Sequence, residues 1–317
     1  MLTFFARRFV GAILVCIAVT FIVFVIFIVV PGGDPAQRIG GKNATPQLIV
    51  NIRHSWGFDR PFYYQYWLLM KKMFSGDLVS YTSQQNVISQ IVQGVPATFS
   101  LTIGAGIIWL FFGILVGVIS AMRAGRWSDR LITVLALIGI SMPVFWLGII
   151  CRYYLAEGGI ATIFPDGEYV GLSQNPFQWF WHLFLPWIVL AVLFIGFYGR
   201  VLRGNILDTI NEDYVRTAKS KGLSPRRIMR KHVLRTSLIP VITLFGLDFA
   251  AVLGGGAILT ETVFDLHGVG QYAAQSINNF DLPPIMGVTM YGAFFITIFS
   301  VLVDLFYAYL DPRIRPT

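Results

Sequence analysis

Six apolar stretches, at about 9–30, 97–121, 131–155, 183–202, 238–263 and 285–310, dictate the solvent in which this chain folds. A bilayer core about 30 Å thick takes roughly 20 apolar residues per helix, and each stretch meets or approaches that length. In lipid the backbone must satisfy its own hydrogen bonds, so such stretches become helices. Hydrophobic residues make up 56% of the 317 and charged ones 13%, against roughly 25% charged in soluble domains. The expected fold class is therefore all-α integral membrane, with six transmembrane helices.

The first stretch follows Arg7 and Arg8, as the apolar core of a signal peptide does. Its length and its exit through "VVPGGDP", which has no small-x-small cleavage site, predict an uncleaved anchor instead. Cys16 and Cys151 both fall inside apolar stretches, where they read as small fillers and imply no disulfide.

Positively charged loops stay on the cytoplasmic side. Placing the N-terminus inside puts Arg7, Arg8, Arg123, Arg126, Arg130, Arg200, Arg203, the eight Lys and Arg of 216–235, Arg313 and Arg315 there, 17 of the 24 basic residues. Both termini are then cytoplasmic. The net charge of +8 is mostly this bias, so nucleic acid need not be invoked as a partner.

Three regions follow: 1–30 with the first span, an extracytoplasmic region 31–96, and a core 97–317 that includes a cytoplasmic loop 204–237. Within 31–96, "PFYYQYWLLMKKMFSGDL" has helical spacing and an aromatic-rich face, as an amphipathic helix at the outer membrane surface would. A second outer loop, about 156–182, is rimmed by Trp179, Trp181 and Trp187, which suit a membrane interface. "GILVG", Gly113 to Gly117, lets two helix backbones approach closely. "LGGGAIL" carries Gly254, Gly255 and Gly256, each weakening a helix by up to about 1 kcal/mol relative to Ala. That predicts a hinge or a close approach near the middle of the membrane.

Catalytic constellations are missing. The nearest approach to a phosphate-binding G-x-x-x-x-G-K-[ST] is at Gly41 and Lys42, where Ala36 and Asn43 break the pattern. His54, His182, His232 and His267 are scattered without ligand spacing, so no metal is expected. No G-x-S-x-G elbow occurs. Intramembrane carboxylates are the remaining candidates, because each costs about 2.5–3.5 kcal/mol at mid-bilayer on insertion scales and tends to face a cavity. They are Asp248, Glu261 and Asp304. Asp248 and Glu261, with Gly255, are candidate pathway residues; the structural alternative is an interhelical hydrogen bond or ion pair. If Asp248 were a proton or ion relay, the chain would be a stand-alone secondary transporter.

The basic segment 214–236 cannot enter lipid. Asn211 reads as an N-cap, with Glu212 and Asp213 in the first turn. Gly222 then reads as a left-handed stop, and Ser224 with Pro225 as a second helix start. Two short surface helices joined by a tight turn are expected. Tyr214, Val215, Ala218 and Gly222 form one stripe. Such a stripe suits a groove on a partner protein, or, as part of a basic amphipathic helix, a surface of anionic headgroups.

"EDYVRTAKSKGLSPRRIMRKHVLRTSLIP" resembles the "EAA" cytoplasmic loop of ABC-importer permeases, in the B-type subunit of their dipeptide, oligopeptide and nickel branch. The resemblance covers nearly the whole chain, through "PGGDP", "GFDRPFYYQYW", "SGDL", "PATFSLTI", "SMPVFWLG", "GGAILTETVF", "HGVGQ" and "LVDLFYAYLDPRIR". It implies a type I ABC-importer permease fold whose cytoplasmic coupling helix, carrying Tyr214, Val215, Ala218 and Gly222, docks on an ATP-binding subunit. It further implies a second homologous permease subunit, two cytoplasmic ATP-binding subunits that hold the ATP and Mg, and an extracytoplasmic substrate-binding protein. The chain itself would carry no cofactor and would not be an enzyme; it would form half of a pathway for di- or oligopeptides by alternating access. Nickel, glutathione and oligosaccharides are the alternative cargoes of that branch. Arg216 and Thr217 stand where the broader motif has Glu and Ala, Arg235 where it has Pro, and Val79 where the branch often has Gly after "GDL".

Overall fold

The computed structural model describes residues 2–29, 34–41 and 44–310, with side chains placed for all of these except 2–9, 12, 28, 29, 38 and 304–310. Asp304 therefore lies outside the described side chains, as do the basic residues near both termini. Every regular element among the described residues is a helix. The first, α1 (Leu2–Val29), carries the apolar run Ile13–Phe27. Three shorter helices follow outside it: α2 (Pro35–Gly40), α3 (Pro46–Trp56) and α4 (Phe62–Ser75). Asp34 and Thr45 cap the first two through backbone N–H groups, each with Pro at the first position.

Next comes α5 (Val87–Met122), started by Asn86, whose side chain accepts from Ser89 N at 2.9 Å. A tight turn leads into α6 (Trp127–Ser141) and α7 (Val144–Leu155). The continuous span expected over 131–155 is broken here, because the two helices meet at 97°. Pro143 is the reason: it offers no N–H and forces Met142 into extended backbone, at φ −77° and ψ 125°. At about 1.5 Å per residue neither half crosses a bilayer alone.

α8 (Pro176–Thr209) pairs with α5 more extensively than any other two helices pair. The Gly113/Gly117 seam sits at this contact. A Cβ added at Gly113 would stand 2.7 Å from that of Tyr198, and one at Gly117 2.8 Å from that of Leu202. The expected close approach is thus made, within one chain. At the same end of the molecule Arg203 of α8 grips Asp129 of α6 with two hydrogen bonds of 2.8 Å, and Gly125 N and Ser120 Oγ donate to the same carboxylate. Arg203 is therefore a packing cation as well as one of the charges that bias orientation.

Beyond α9 (Asp213–Ser220) the chain turns into α10 (Pro225–Ile228), which runs through a π-turn at Met229–Val233 into α11 (Leu234–Ala251) and a second π-turn at Val252–Gly256. The run Pro225–Gly256 is one apolar helix of 32 residues. α12 (Ile258–Val263), α13 (Val269–Asn278) and α14 (Leu282–Leu310) complete the fold. The fifth span expected over 238–263 thus starts earlier and stops at the glycines. Gly254–Gly256 close a long helix rather than interrupt its middle.

Among the described residues, four helical runs are long and apolar enough to cross a membrane, namely Val87–Met122, Pro176–Thr209, Pro225–Gly256 and Leu282–Val303. The bent pair α6 and α7 makes a fifth if taken as one span. One apolar core gathers Trp109, Tyr198, Leu202, Val215 and Val252, and a second gathers Phe24, Leu78, Val87 and Met286 where α1, α5 and α14 meet the region 34–86. Leu14, Ile107, Phe111 and Leu135 are more than half exposed on the outside, as faces turned to lipid are. Cys16 and Cys151 are free and half-buried, as fillers.

Candidate functional site

Two places in the chain gather the residues singled out by sequence, one at each end of the helix Pro225–Gly256. At its start stands α9. The helix begins at Asp213 with Glu212 in the cap position, one residue after the cap expected at Asn211. The Asn211 amide instead donates to Leu207 O at 3.0 Å and closes α8. Gly222 takes φ +74°, and the reversal is closed by Gly222 N to Lys219 O at 3.0 Å; a residue with a Cβ pays steric strain in that region. Ser224 is extended and Pro225 occupies the first helical position, as expected. The second helix is no separate piece, however, because it continues into α11.

The stripe Tyr214, Val215, Ala218 and Gly222 does not form one outward surface. Val215 is fully buried and Ala218 is 5% exposed. Both pack into the chain's own core beside Ile206, Ile228 and Val233. Tyr214 lies along α11, its hydroxyl donating to Thr236 Oγ1 at 3.2 Å. Gly222 is exposed at the turn. What α9 presents outward is Asp213, Arg216, Thr217, Lys219 and Ser220. Arg216 stands 3.5 Å from Asp213, a pair with both side chains in solvent that contributes little. The inward stripe explains the correction: a helix of this length holds its place only by burying an apolar face.

Between the two ends, Asp248 accepts a hydrogen bond of 2.7 Å from the Tyr198 hydroxyl of α8. Tyr198 belongs to a ring cluster in which Trp109 stacks on Phe194 at 4.4 Å and meets Phe245 at 5.6 Å. Asp248 is half-buried at its edge.

At the far end Gly255 has φ +118° and ψ 4°, which ends the helix. Beside it a Cβ on Gly254 would come within 3.2 Å of the Gly292 backbone, so the second π-turn and α14 touch there. The break in the helix and the close approach fall on adjacent residues. Glu261 is not part of the long helix. It sits in α12, wholly buried, and its carboxylate accepts from Thr98 Oγ1 and from Gln271 N, each at 2.8 Å. Thr98 in turn accepts from Val269 N at 2.9 Å. The carboxylate therefore caps the first turn of α13, whose own cap residue, Gly268, has no side chain. A Cβ at Gly268 would stand 2.4 Å from Glu261 Oε2, and one at Gly270 2.9 Å. The glycines of "HGVGQ" thus make room for the "TETVF" carboxylate.

Sequence reasoning missed three anchors. Thr98 and Gln271 carried no local signal. Asp281, at the start of α14, accepts from Ser80 Oγ at 2.5 Å, Tyr81 N at 2.9 Å, Thr82 Oγ1 at 2.6 Å and Thr82 N at 3.2 Å. It fixes the turn after "GDL", where Val79 departs from the family pattern. The α12 end is also strapped from outside: Arg152 of α7 donates to Val263 O at 2.5 Å and to Asp166 Oδ1 at 2.6 Å. That guanidinium holds the Asp166 carboxyl below its usual range. No group of His, Cys, Asp and Glu able to hold a metal occurs among the described residues.

Comparison with known proteins places this architecture. Residues 113–316 match the model of the binding-protein-dependent transport system inner membrane component, and residues 1–102 match the N-terminal model of the same component. The chain belongs to that family. Among its relatives, the permease is 35% identical to the dipeptide transport system permease protein DppB of Alkalihalophilus pseudofirmus, over 99% of its own length and 100% of that protein. It is 36% identical to the probable D,D-dipeptide transport system permease protein DdpB of Escherichia coli, over 96% of its own length and 95% of that protein. A chain of the inward-facing MetNI methionine ABC transporter superposes with a TM-score of 0.56 at 17% identity, covering 71% of the permease and 97% of that chain. The last match speaks for the fold alone.

Proposed function

We propose that this permease is the membrane subunit through which an ATP-driven ABC importer passes di- or oligopeptides, with α9 on the cytoplasmic side as its coupling helix. The names carried by relatives that match it end to end support the peptide cargo. The pairing of this chain with a second homologous permease subunit, two ATP-binding subunits that supply ATP and Mg, and an extracytoplasmic binding protein follows the same resemblance. The observation that carries the mechanism is the continuity of the helix Pro225–Gly256, which at about 1.5 Å per residue is roughly 48 Å long. Val215 and Ala218 pin α9 against its start, Asp248 lies along it, and Gly255 ends it where Glu261 holds the α12–α13 hairpin. A push on α9 by a closing ATPase pair would thus reach the opposite face through one rigid element, as a two-state transition requires. In this account Val215 and Ala218 act by holding α9, and Tyr214, Gly222 and the outward charges meet the partner. Asp248 faces the pathway, Gly255 is its hinge, and Glu261 positions its outer end.

The experiment is reconstitution of the permease with its neighbouring gene products in proteoliposomes. Peptide uptake that requires ATP and the ATP-binding subunits supports the reading. Uptake by this chain alone, without ATP, would overturn it.

A further inference from the structure

One carboxylate inside the bundle is left without a counter-charge. Asp129 is gripped by Arg203, and Glu261 is closed off from solvent by donors on α5 and α13. Asp248 has neither protection. Its partner is the Tyr198 hydroxyl at 2.7 Å, and among the described residues it forms no ion pair. The sequence offers no cation at that level either. Asp248 is the only charged residue between Thr236 and Gly256. The stretches 87–122 of α5, 183–199 of α8 and 282–303 of α14, the helices packed on α11, carry no charge at all.

Its depth sharpens the point. Asp248 stands well beyond Arg235, where the basic run ends, by about 20 Å along the helix at about 1.5 Å per residue. That lies inside a hydrocarbon slab about 30 Å thick, where a carboxylate faces the bundle interior or a water-filled cavity and not lipid. Leu247 is 43% exposed and Ala251 is exposed, so this side of α11 is open in the single chain. The surroundings are aromatic. Phe245, one turn before Asp248, meets Trp109 at 5.6 Å and Phe249 at 5.6 Å, and Phe249 meets Phe299 of α14 at 5.2 Å. Trp109 Nε1 is buried there without an acceptor, so the cluster leaves a donor as well as a carboxylate unmet.

We propose that Asp248 and the rings beside it form a transit site for a primary ammonium, the α-amino end of the peptide passing through. This deepens the transport reading and rests on it. A carboxylate offers about four acceptor sites; Tyr198 fills one and holds the group in place. An ammonium brings three donors, and aromatic faces attract a cation most strongly where water is scarce. A bare metal ion would ask for several oxygens, and the described residues gather no group able to hold one. The ligand must also leave again. A site of one charge and one hydroxyl suits the weak binding that passage requires.

The test leaves out the binding protein, so that its own selectivity does not enter. The purified importer, in deuterated detergent without nucleotide, is offered dialanine or N-acetyl-dialanine, and saturation transferred from protein to peptide is read by NMR. Dialanine should bind about tenfold better than the acetylated peptide, as one hydrogen bond to a charged group implies. Asp248→Asn, which keeps an oxygen for Tyr198, should bring the two peptides to parity. No transfer to dialanine in the unaltered importer, or a preference that survives in Asp248→Asn, would overturn the proposal. So would loss of the second permease subunit from the Asp248→Asn complex on size exclusion, which would assign the carboxylate to an ion pair between subunits. ATP-driven uptake by the unaltered importer, measured on the same preparation, keeps the two readings apart. If it persists while the preference is missing, the ammonium site alone fails.

Discussion

The two ends of the helix Pro225–Gly256 are held by opposite kinds of chemistry. At the α9 end the contact is aliphatic, Val215 and Ala218 against Ile228 and Val233, and the charges all point away. At the α12–α13 end it is polar and buried, with Glu261 and Asp281 each accepting from hydroxyl and backbone donors on distant parts of the chain. Apolar contacts are non-directional and tolerate small slides. Buried hydrogen bonds are directional, and leaving one unmade is costly. On the proposed coupling role, the α9 end would shift as a unit with the ATP-binding subunit it docks on. The other end is built to hold one arrangement or release it.

Substitutions can break that contrast, beginning with the largest effect. Glu261→Ala strands the Thr98 hydroxyl and the Gln271 N–H in a dry interior, at about 1–3 kcal/mol each. It should lower the thermal unfolding midpoint of the detergent-solubilised permease more than any of the changes that follow. Gly268→Ala pushes a methyl into the Glu261 carboxylate and should cost about 1–3 kcal/mol in the same assay. Asp248→Asn keeps an oxygen for Tyr198, so stability should change by less than about 1 kcal/mol while transport rate or peptide preference changes in vesicle uptake. A complete loss of uptake with stability intact would instead favour an ion relay at Asp248. The smallest effect belongs to the exposed strap. Because Arg152 lowers the Asp166 pKa, the contribution of Asp166 is present above the unfolded carboxylate pKa of about 3.9. It is lost as pH falls below that. With Asp166 49% exposed, Asp166→Asn should cost at most a few tenths of a kcal/mol at pH 7, and progressively less as pH falls through the lowered Asp166 pKa.

The difference between the ends also explains what could be read in advance. The α9 loop was legible because its signals are local. Gly222, Ser224 and Pro225 fix a turn by backbone preference alone, and a charge run next to an apolar stretch must stand at a surface. Even so, its stripe turns toward the bundle and not toward a partner, because spacing tells which residues share a face and not which side the bundle covers. The broken third span was hidden by hydropathy, which stays high across Pro143 while the backbone turns by 97°. Gly255 was legible as a helix-weakening residue only through composition; its place at the end of the helix required the true start at Pro225. The Glu261 and Asp281 anchors were not legible, since their partners lie 163 and 201 residues away in sequence for Thr98 and Ser80, and no periodic pattern links them.

The central claim is that α9 passes motion into the helix Pro225–Gly256 through the packing of Val215 and Ala218. Its most direct test is Ala218→Arg in the reconstituted importer, with ATP hydrolysis and peptide uptake measured on the same vesicles and Ala218→Ser as the small-volume control. A buried guanidinium lifts α9 from its seat. Hydrolysis should continue while uptake per ATP falls at least tenfold, with the Ser variant close to the original. Uptake per ATP unchanged in Ala218→Arg would contradict the account.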